Sequence, residues 1–200
     1  MVMKSLAVAA FALLSLTVGA GAKPALPLTA STVFKDGPKG AKIHIASNFA
    51  CPDRIGRYIR DAVGESDLES GSDFCSYYAL DGVYGTVTLT PLRGAYNPAA
   101  SLSTQFIQQE GIGAKKVGEK TIALGPKGDQ IKVYTRTYET AHLETLHYRL
   151  TYTGAAYKGW IVETTTEYAE PRDDAVNREF LDWVYGPALK DITSRAEAAR

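Results

Sequence analysis

The segment His142-Leu-Glu144-Thr-Leu-His147 concentrates residue types that bind metals or transfer protons. It differs from the H-E-x-x-H pattern, in which two histidines four residues apart share one face of a helix. The surrounding residues alternate as in a strand, so we expect His142 and Glu144 on one side and His147 on the other. A zinc site needs at least three convergent ligands, and His44 is the only other histidine. The sequence therefore predicts neither a metal site nor a bound cofactor.

Residues that could act in nucleophilic or acid–base catalysis lack the surroundings that catalysis needs. Ser66, Ser70 and Ser72 lie in a polar loop without the G-x-S-x-G elbow of a serine hydrolase. Serines in such loops usually stabilise turns. The carboxylates of Glu163 and Glu167 have polar neighbours, and the sequence gives no reason to expect raised pKa values there. No catalytic residue is predicted.

Aromatic residues with polar tips are frequent in the C-terminal half of the chain, and such groups are favoured at recognition surfaces. They could instead be ordinary half-buried residues of a sheet. If they bind a ligand, the candidates that face it are Tyr148, Tyr152, Trp160 and Tyr168.

The N-terminus has the pattern of a secretory signal peptide. Lys4 is followed by an apolar, uncharged run from Ser5 to Ala20, and Ala20-Gly-Ala22 supplies the small residues that signal peptidase requires. The alternative is an uncleaved membrane anchor, but the run is short for a membrane span and no basic residue stops it. We therefore predict a signal peptide over residues 1–22 and a periplasmic or secreted mature protein.

The export prediction determines how the two cysteines are interpreted. In an oxidising compartment, Cys51 and Cys75 are expected to form a disulfide. The alternative is a redox-active pair, which usually has the closer C-x-x-C spacing. A disulfide here would close a loop of about 25 residues and stabilise the fold by roughly 3.5 kcal/mol on the chain-entropy model.

The charge balance excludes some partners. Of the charged residues, cleavage after residue 22 removes only Lys4, which leaves 21 basic side chains against 22 acidic ones. A nucleic-acid surface would have a basic excess, so no nucleic-acid partner is expected. No later segment is apolar over the length of a membrane span. The partner, whether a protein or a small molecule, is not identified by the sequence.

The mature chain divides into a flexible segment (23–35), a single domain (36–195) and a frayed tail (196–200). Short strands are predicted at 42–46, 74–80 and 83–90, with a hairpin turn at Asp81-Gly82. A helix is predicted after Asp53, because Ile55 and Ile59 have helical spacing. Asn97-Pro98 is a typical start for a second helix, which Gly111 ends.

Four strands are predicted after residue 114, over about 115–124, 130–138, 144–153 and 160–168. In the third strand Leu146, Tyr148, Leu150 and Tyr152 lie on one side, and in the fourth Trp160 and Val162 share a face. Such one-sided strands belong to an antiparallel sheet with one covered face. A final helix starts near Asp173 and buries Val176, Phe180, Trp183 and Val184, and Gly186-Pro187 interrupts it. The predicted fold is α+β, with an antiparallel sheet of about five to seven strands and helices packed against it.

This order of elements resembles the PsbP/Mog1-like group over about residues 41–185. The similar part contains the Tyr84–Thr90 strand, the 97–110 helix, the four-strand meander, the Lys158-Gly-Trp160 start of its last strand, and the closing helix. The Cys51–Cys75 region is a departure from the group. Because members are mostly non-catalytic binding or assembly factors, the resemblance implies a binding role. We therefore expect an exported binding or envelope accessory protein, with an extracytoplasmic hydrolase as the alternative.

Overall fold

The computed structural model describes residues 32–80, 82–125 and 130–194. The predicted signal peptide, most of the predicted flexible segment, Asp81 of the predicted hairpin turn and the tail at 196–200 lie outside the described residues. The strands are β1 Phe34–Asp36, β2 Lys42–His44, β3 Ala50–Cys51, β4 Arg54–Ile55, β5 Tyr58–Asp67, β6 Ser72–Ala79, β7 Val83–Pro91, β8 Lys115–Leu124, β9 Ile131–Leu143, β10 Leu146–Tyr157 and β11 Trp160–Glu170. The helices are α1 Pro98–Ser101, α2 Ser103–Gly111, α3 Asp174–Val184 and α4 Pro187–Lys190.

Eight antiparallel strands form the main sheet, in the order β4-β5-β6-β7-β11-β10-β9-β8. The α+β class and the antiparallel sheet are confirmed, but the predicted count of five to seven strands is too low. The error comes from the helix predicted after Asp53, since that segment forms β4 and β5 instead. Gly56, at φ +54°, lies in the tight turn that pairs Ile55 with Tyr58. The four-residue spacing of Ile55 and Ile59 therefore spans a hairpin.

A smaller sheet packs beside the N-terminal end of the domain, with β2 between β1 and β3. Its first strand includes Phe34 and Lys35, the last two residues of the segment predicted to be flexible. The Phe34 side chain is buried, with its ring centroid 5.2 Å from that of His44. Burial of this aromatic ring stabilises the strand at this point.

The predicted disulfide between Cys51 and Cys75 is confirmed. It joins β3 of the small sheet to β6 of the main sheet, with 6.4 Å between the two Cα atoms. Both cysteine side chains are fully buried. The bond therefore links the two sheets through the centre of the core.

One face of the main sheet, called here the inner face, is covered by α3. The apolar stripe predicted for this helix is confirmed: Val176, Phe180 and Val184 are buried, and Trp183 is half-buried against the same core. The Phe180 ring packs on β7 at Gly85, where an added Cβ would lie 2.8 Å from the ring. The predicted interruption at Gly186-Pro187 separates α3 from α4.

The opposite, outer face is covered by α1 and α2 over part of its width, so helices lie on both faces and not on one as predicted. Asn97 caps α1 as expected, since its side chain accepts a hydrogen bond from the backbone N–H of Ala100. Leu102 and Phe106 then pack against Tyr138 and Tyr152 of the sheet. None of the helices among residues 32–194 that the structure describes is long and apolar enough to cross a membrane.

Candidate binding groove

Three neighbouring strands each carry a T-x-T segment whose threonines face inward. In the register of these strands, Thr151 lies opposite Thr137 on one side and Thr166 on the other. Residues directly opposite each other in an antiparallel pair point to the same face, so the segments combine into one threonine array. Its members are Thr135 and Thr137 of β9, Thr151 and Thr153 of β10, and Thr164 and Thr166 of β11.

Part of this array forms the floor of a groove beside α3, which we call the threonine groove. The groove encloses about 370 Å³. Its lining residues come from the sheet and from α3, and they are Lys120, Ile122, Thr135, Thr137, Thr151, Tyr168, Asp174, Asn177, Arg178 and Leu181. A second recess of about 300 Å³ shares Lys120, Thr135, Thr137 and Tyr168 with it and continues to Arg149 and Glu170.

Two buried polar atoms in this region have no hydrogen-bond partner among the described residues. One is Oδ1 of Asn177, which belongs to a groove-lining residue that is 7% exposed. The other is the hydroxyl of Thr166, which is fully buried. Buried polar groups in folded proteins are nearly always paired with protein, water or ligand. Thr166 does not line the groove, but Asn177 does, and its amide is therefore a candidate hydrogen-bonding partner for a polar molecule there.

Four other members of the array are hydrogen-bonded in pairs. Thr153 lies 2.6 Å from the hydroxyl of Thr164 and 2.6 Å from the hydroxyl of Tyr185. The hydroxyls of Thr137 and Thr151 are 2.9 Å apart. The groove floor therefore contains the paired hydroxyls of Thr137 and Thr151, and Asn177 beside it has an unpaired amide oxygen.

Charged groups of both signs surround the groove. Lys120 projects from β8, whereas Asp174 and Arg178 belong to α3. Burial raises the pKa of the Asp174 carboxyl, and the neighbouring Glu170 carboxylate adds to that shift. At the far end, Nε of Arg149 donates to Glu170 over 2.7 Å. The rim can therefore interact with donors and acceptors on the same ligand.

The four aromatic residues predicted to face a ligand do not share one surface. Tyr148 and Tyr152 belong to the outer face, where Tyr152 is buried with Phe106 of α2. Trp160 and Tyr168 belong to the inner face, and Trp160 is buried in the main core. Of the four, Tyr168 lines the threonine groove. The division follows from the register, which places Thr151, and not Tyr152, on the side of Tyr168.

The geometry predicted for the His142–His147 segment is wrong. β9 continues to Leu143 and β10 begins at Leu146, so the turn consists of Glu144 and Thr145. This hairpin pairs His142 directly with His147, and their ring centroids are 4.4 Å apart. The prediction began the strand at Glu144, and so counted the turn residues Glu144 and Thr145 as part of the strand.

A Ser–His–Asp contact that the sequence analysis missed lies between the two sheets. Nδ1 of His44 is 2.6 Å from the Ser47 hydroxyl, and Nε2 is 2.9 Å from Oδ2 of Asp73. All three residues are buried, with Ser47 0% exposed, so no substrate reaches this hydroxyl. Burial lowers the pKa of His44, and the Asp73 carboxylate opposes the shift only in part. The contact acts as a structural link, and no sequence motif marks it because Asp73 is remote along the chain.

Glu163, for which the sequence gave no reason to expect a raised pKa, is half-buried under the loop before α1. It accepts a hydrogen bond from the Tyr96 hydroxyl over 2.9 Å. Burial raises the pKa of its carboxyl, and hydrogen bonds from Ser101 and Tyr96 oppose that shift. Tyr96 and Ser101 also line an outer-face pocket of about 370 Å³. The polar sequence neighbours of Glu163 gave no sign of the covering loop.

Comparison with known proteins does not identify a family. No protein-family model matches the chain, and a search of curated proteins finds no match.

Proposed function

We propose that this protein is an exported, non-catalytic binding protein or envelope accessory protein that holds a small polar molecule in the threonine groove. The observation that carries the proposal is Asn177, a residue that lines the groove and whose buried amide oxygen Oδ1 has no hydrogen-bond partner among the described residues. An unpaired buried amide oxygen costs about 1–3 kcal/mol. A ligand in the groove that donates a hydrogen bond to this oxygen, once the amide turns toward the groove, would recover that free energy.

The size and chemistry of the groove favour a small ligand. Small-molecule sites usually enclose about 300–1,000 Å³ and contain a few fixed polar groups. The groove has about 370 Å³, and its hydroxyl floor can both donate and accept hydrogen bonds. Rigid strands carry Thr135, Thr137 and Thr151, so the polar groups are positioned before the ligand arrives. Preorganisation of this kind reduces the entropy cost of binding.

The proposed location outside the cytoplasm is supported by two features. Residues 1–22 have the secretory pattern, and the disulfide is typical of proteins in oxidising compartments. The resemblance to the PsbP/Mog1-like group would agree with a binding role and remains a prediction.

A screen of small polar molecules against the purified protein tests the binding role. We expect amide NMR shifts to change at Thr135, Thr151 and Asn177 when a sugar, polyol or amino acid of the screen binds. The variant Asn177→Leu should lose those changes, whereas the matched variant Thr165→Val, on the outer face of β11, should keep them. Shifts that are equal in both variants, or that map elsewhere, would show that the groove is not the site.

The hydrolase alternative is favoured by one observation, the half-buried Glu163 that accepts a hydrogen bond from Tyr96 beside a second pocket. A carboxyl with a raised pKa in a cleft is a candidate general acid. Assays with chromogenic esters and glycosides would detect such an activity. If a substrate is cleaved by the wild type but not by Glu163→Gln, the enzymatic reading replaces the binding role.

A further inference from the structure

We infer that the end of the β9–β10 hairpin carries a binding site for a divalent transition-metal ion of the type that prefers imidazole ligands, with Cu²⁺ bound most tightly. The ligands are the ring nitrogens of His142 and His147. This site is separate from the threonine groove and goes beyond the proposed function. Its basis is the direct pairing of two histidines across the hairpin.

The hairpin brings the two rings close enough to share one ion. Opposite residues of an antiparallel pair project to the same face, with Cβ atoms about 4.5–5.5 Å apart. Metal–nitrogen bonds of about 2.0–2.1 Å place two adjacent imidazole nitrogens about 3 Å from each other. The ring centroids of His142 and His147 are 4.4 Å apart. His142 is exposed, so small rotations of its side chain are enough to turn a ring nitrogen toward the shared ion.

Glu139 places a carboxylate beside His147, and histidines that bind metal commonly have such a neighbour. Nδ1 of His147 is shielded from solvent, makes no hydrogen bond, and lies 3.4 Å from Oε2 of Glu139. A carboxylate that accepts a hydrogen bond from one ring nitrogen holds the proton there and leaves the other nitrogen free to bind metal, and Glu139 is near enough to do so once the ring turns toward the ion. Glu139 is itself anchored by an ion pair with Arg149. Glu139 is therefore a positioning residue, and Nε2 of His147 is the ligand.

The remaining histidine does not compete for the ion. Both ring nitrogens of His44 are engaged, by Ser47 and Asp73, and the residue is 1% exposed. No group of three or more His, Cys, Asp or Glu residues within the described ranges 32–80, 82–125 and 130–194 is arranged to hold a metal. The two histidines are the only protein ligands of the proposed site, so water must complete the coordination of the ion. A structural zinc site, which has four protein ligands, is therefore excluded. With two imidazoles, the affinity order favours Cu²⁺ over Zn²⁺ and Ni²⁺.

Titration of the purified protein with Cu²⁺, followed by electron paramagnetic resonance and calorimetry, tests this inference. We expect one bound ion whose spectrum shows coupling to two imidazole nitrogens. His142→Ala and His147→Ala should each lose binding at concentrations that saturate the wild type. Glu139→Gln should weaken binding at least about tenfold, whereas Glu167→Gln, a matched loss of one carboxylate on the outer face of β11, should not. Binding that survives in the double histidine variant, or an absence of binding to the wild type, would overturn the site.

A second measurement does not depend on the folding of any variant. Substoichiometric Cu²⁺ added to the wild type should first broaden the amide NMR signals of residues 139–149, because the paramagnetic ion acts over short distances. Broadening centred on another segment would refute the inference.

Discussion

Two isosteric substitutions in the threonine array should change stability in opposite directions. Thr166 and Thr153 are both fully buried on the inner face. The Thr166 hydroxyl has no partner among the described residues, whereas the Thr153 hydroxyl contacts both Thr164 and Tyr185. Replacing each by Val nearly preserves the shape and exchanges the hydroxyl for a methyl group. The sign of the effect therefore depends on hydrogen bonding.

The expected magnitudes follow from the contacts. An unpaired buried hydroxyl costs about 1–3 kcal/mol, so Thr166→Val should raise the free energy of unfolding by about 1 kcal/mol or more. Thr153→Val loses two hydrogen bonds of about 0.5–1.5 kcal/mol each and leaves the Thr164 hydroxyl short of a partner. It should therefore lower the free energy of unfolding by about 1–3 kcal/mol.

Urea denaturation of the ligand-free protein measures this contrast. With slopes of about 1–3 kcal/mol per molar urea, the midpoints of the two variants should differ by about 1 M or more. Equal slopes for the two variants would show that only the native-state interaction has changed. If Thr166→Val destabilises the protein as much as Thr153→Val, the Thr166 hydroxyl is already paired and our reading of the array is wrong.

Three further predictions concern parts of the fold outside the groove. Burial lowers the pKa of His44, so as the pH falls below about 6.5 the unfolded chain binds a proton more readily than the folded protein, and stability should fall. Urea midpoints between pH 7.5 and 5.5 measure this loss of stability. The loss should be smaller in His44→Gln. Gly154→Ala should lower the free energy of unfolding by about 1–3 kcal/mol in thermal or urea unfolding. The added methyl group would lie 2.0 Å from the Tyr96 hydroxyl and break the contact between Tyr96 and Glu163. An unchanged stability would contradict this packing. Reduction and alkylation of the disulfide should lower stability by about 3.5 kcal/mol, and intact-mass measurement before reduction should find no free thiol.

The parts of the fold that could be predicted are those with a local signal. The final helix and the strands at 83–90, 144–153 and 160–168 follow from apolar residues at helical or alternating spacing. Asn97-Pro98 marks a helix start by its capping chemistry. The hairpin at 54–60 was misread, because two isoleucines four residues apart fit a helix as well as they fit opposite sides of a turn. Only the left-handed conformation of Gly56 distinguishes the two.

The groove could not be predicted, because it depends on register. Each T-x-T segment alone is an ordinary piece of strand. The array forms only when β9, β10 and β11 pair so that Thr137, Thr151 and Thr166 lie in one row. The pairing of His142 with His147 could not be predicted for the same reason, because a shift of the hairpin register by one residue would place them on opposite faces. Three T-x-T segments in consecutive predicted strands are the signal that could have indicated a shared hydroxyl-rich face.

The central claim is that the threonine groove binds a small polar molecule. Its most direct test is native mass spectrometry of the full chain after expression with its own N-terminus and purification from the exported fraction. We predict a complex heavier than the polypeptide by one small polar molecule, which is released on denaturation and is absent from the Asn177→Leu variant purified in parallel. A wild-type protein that carries no small molecule and binds none of the screened sugars, polyols or amino acids at millimolar concentration would contradict the claim.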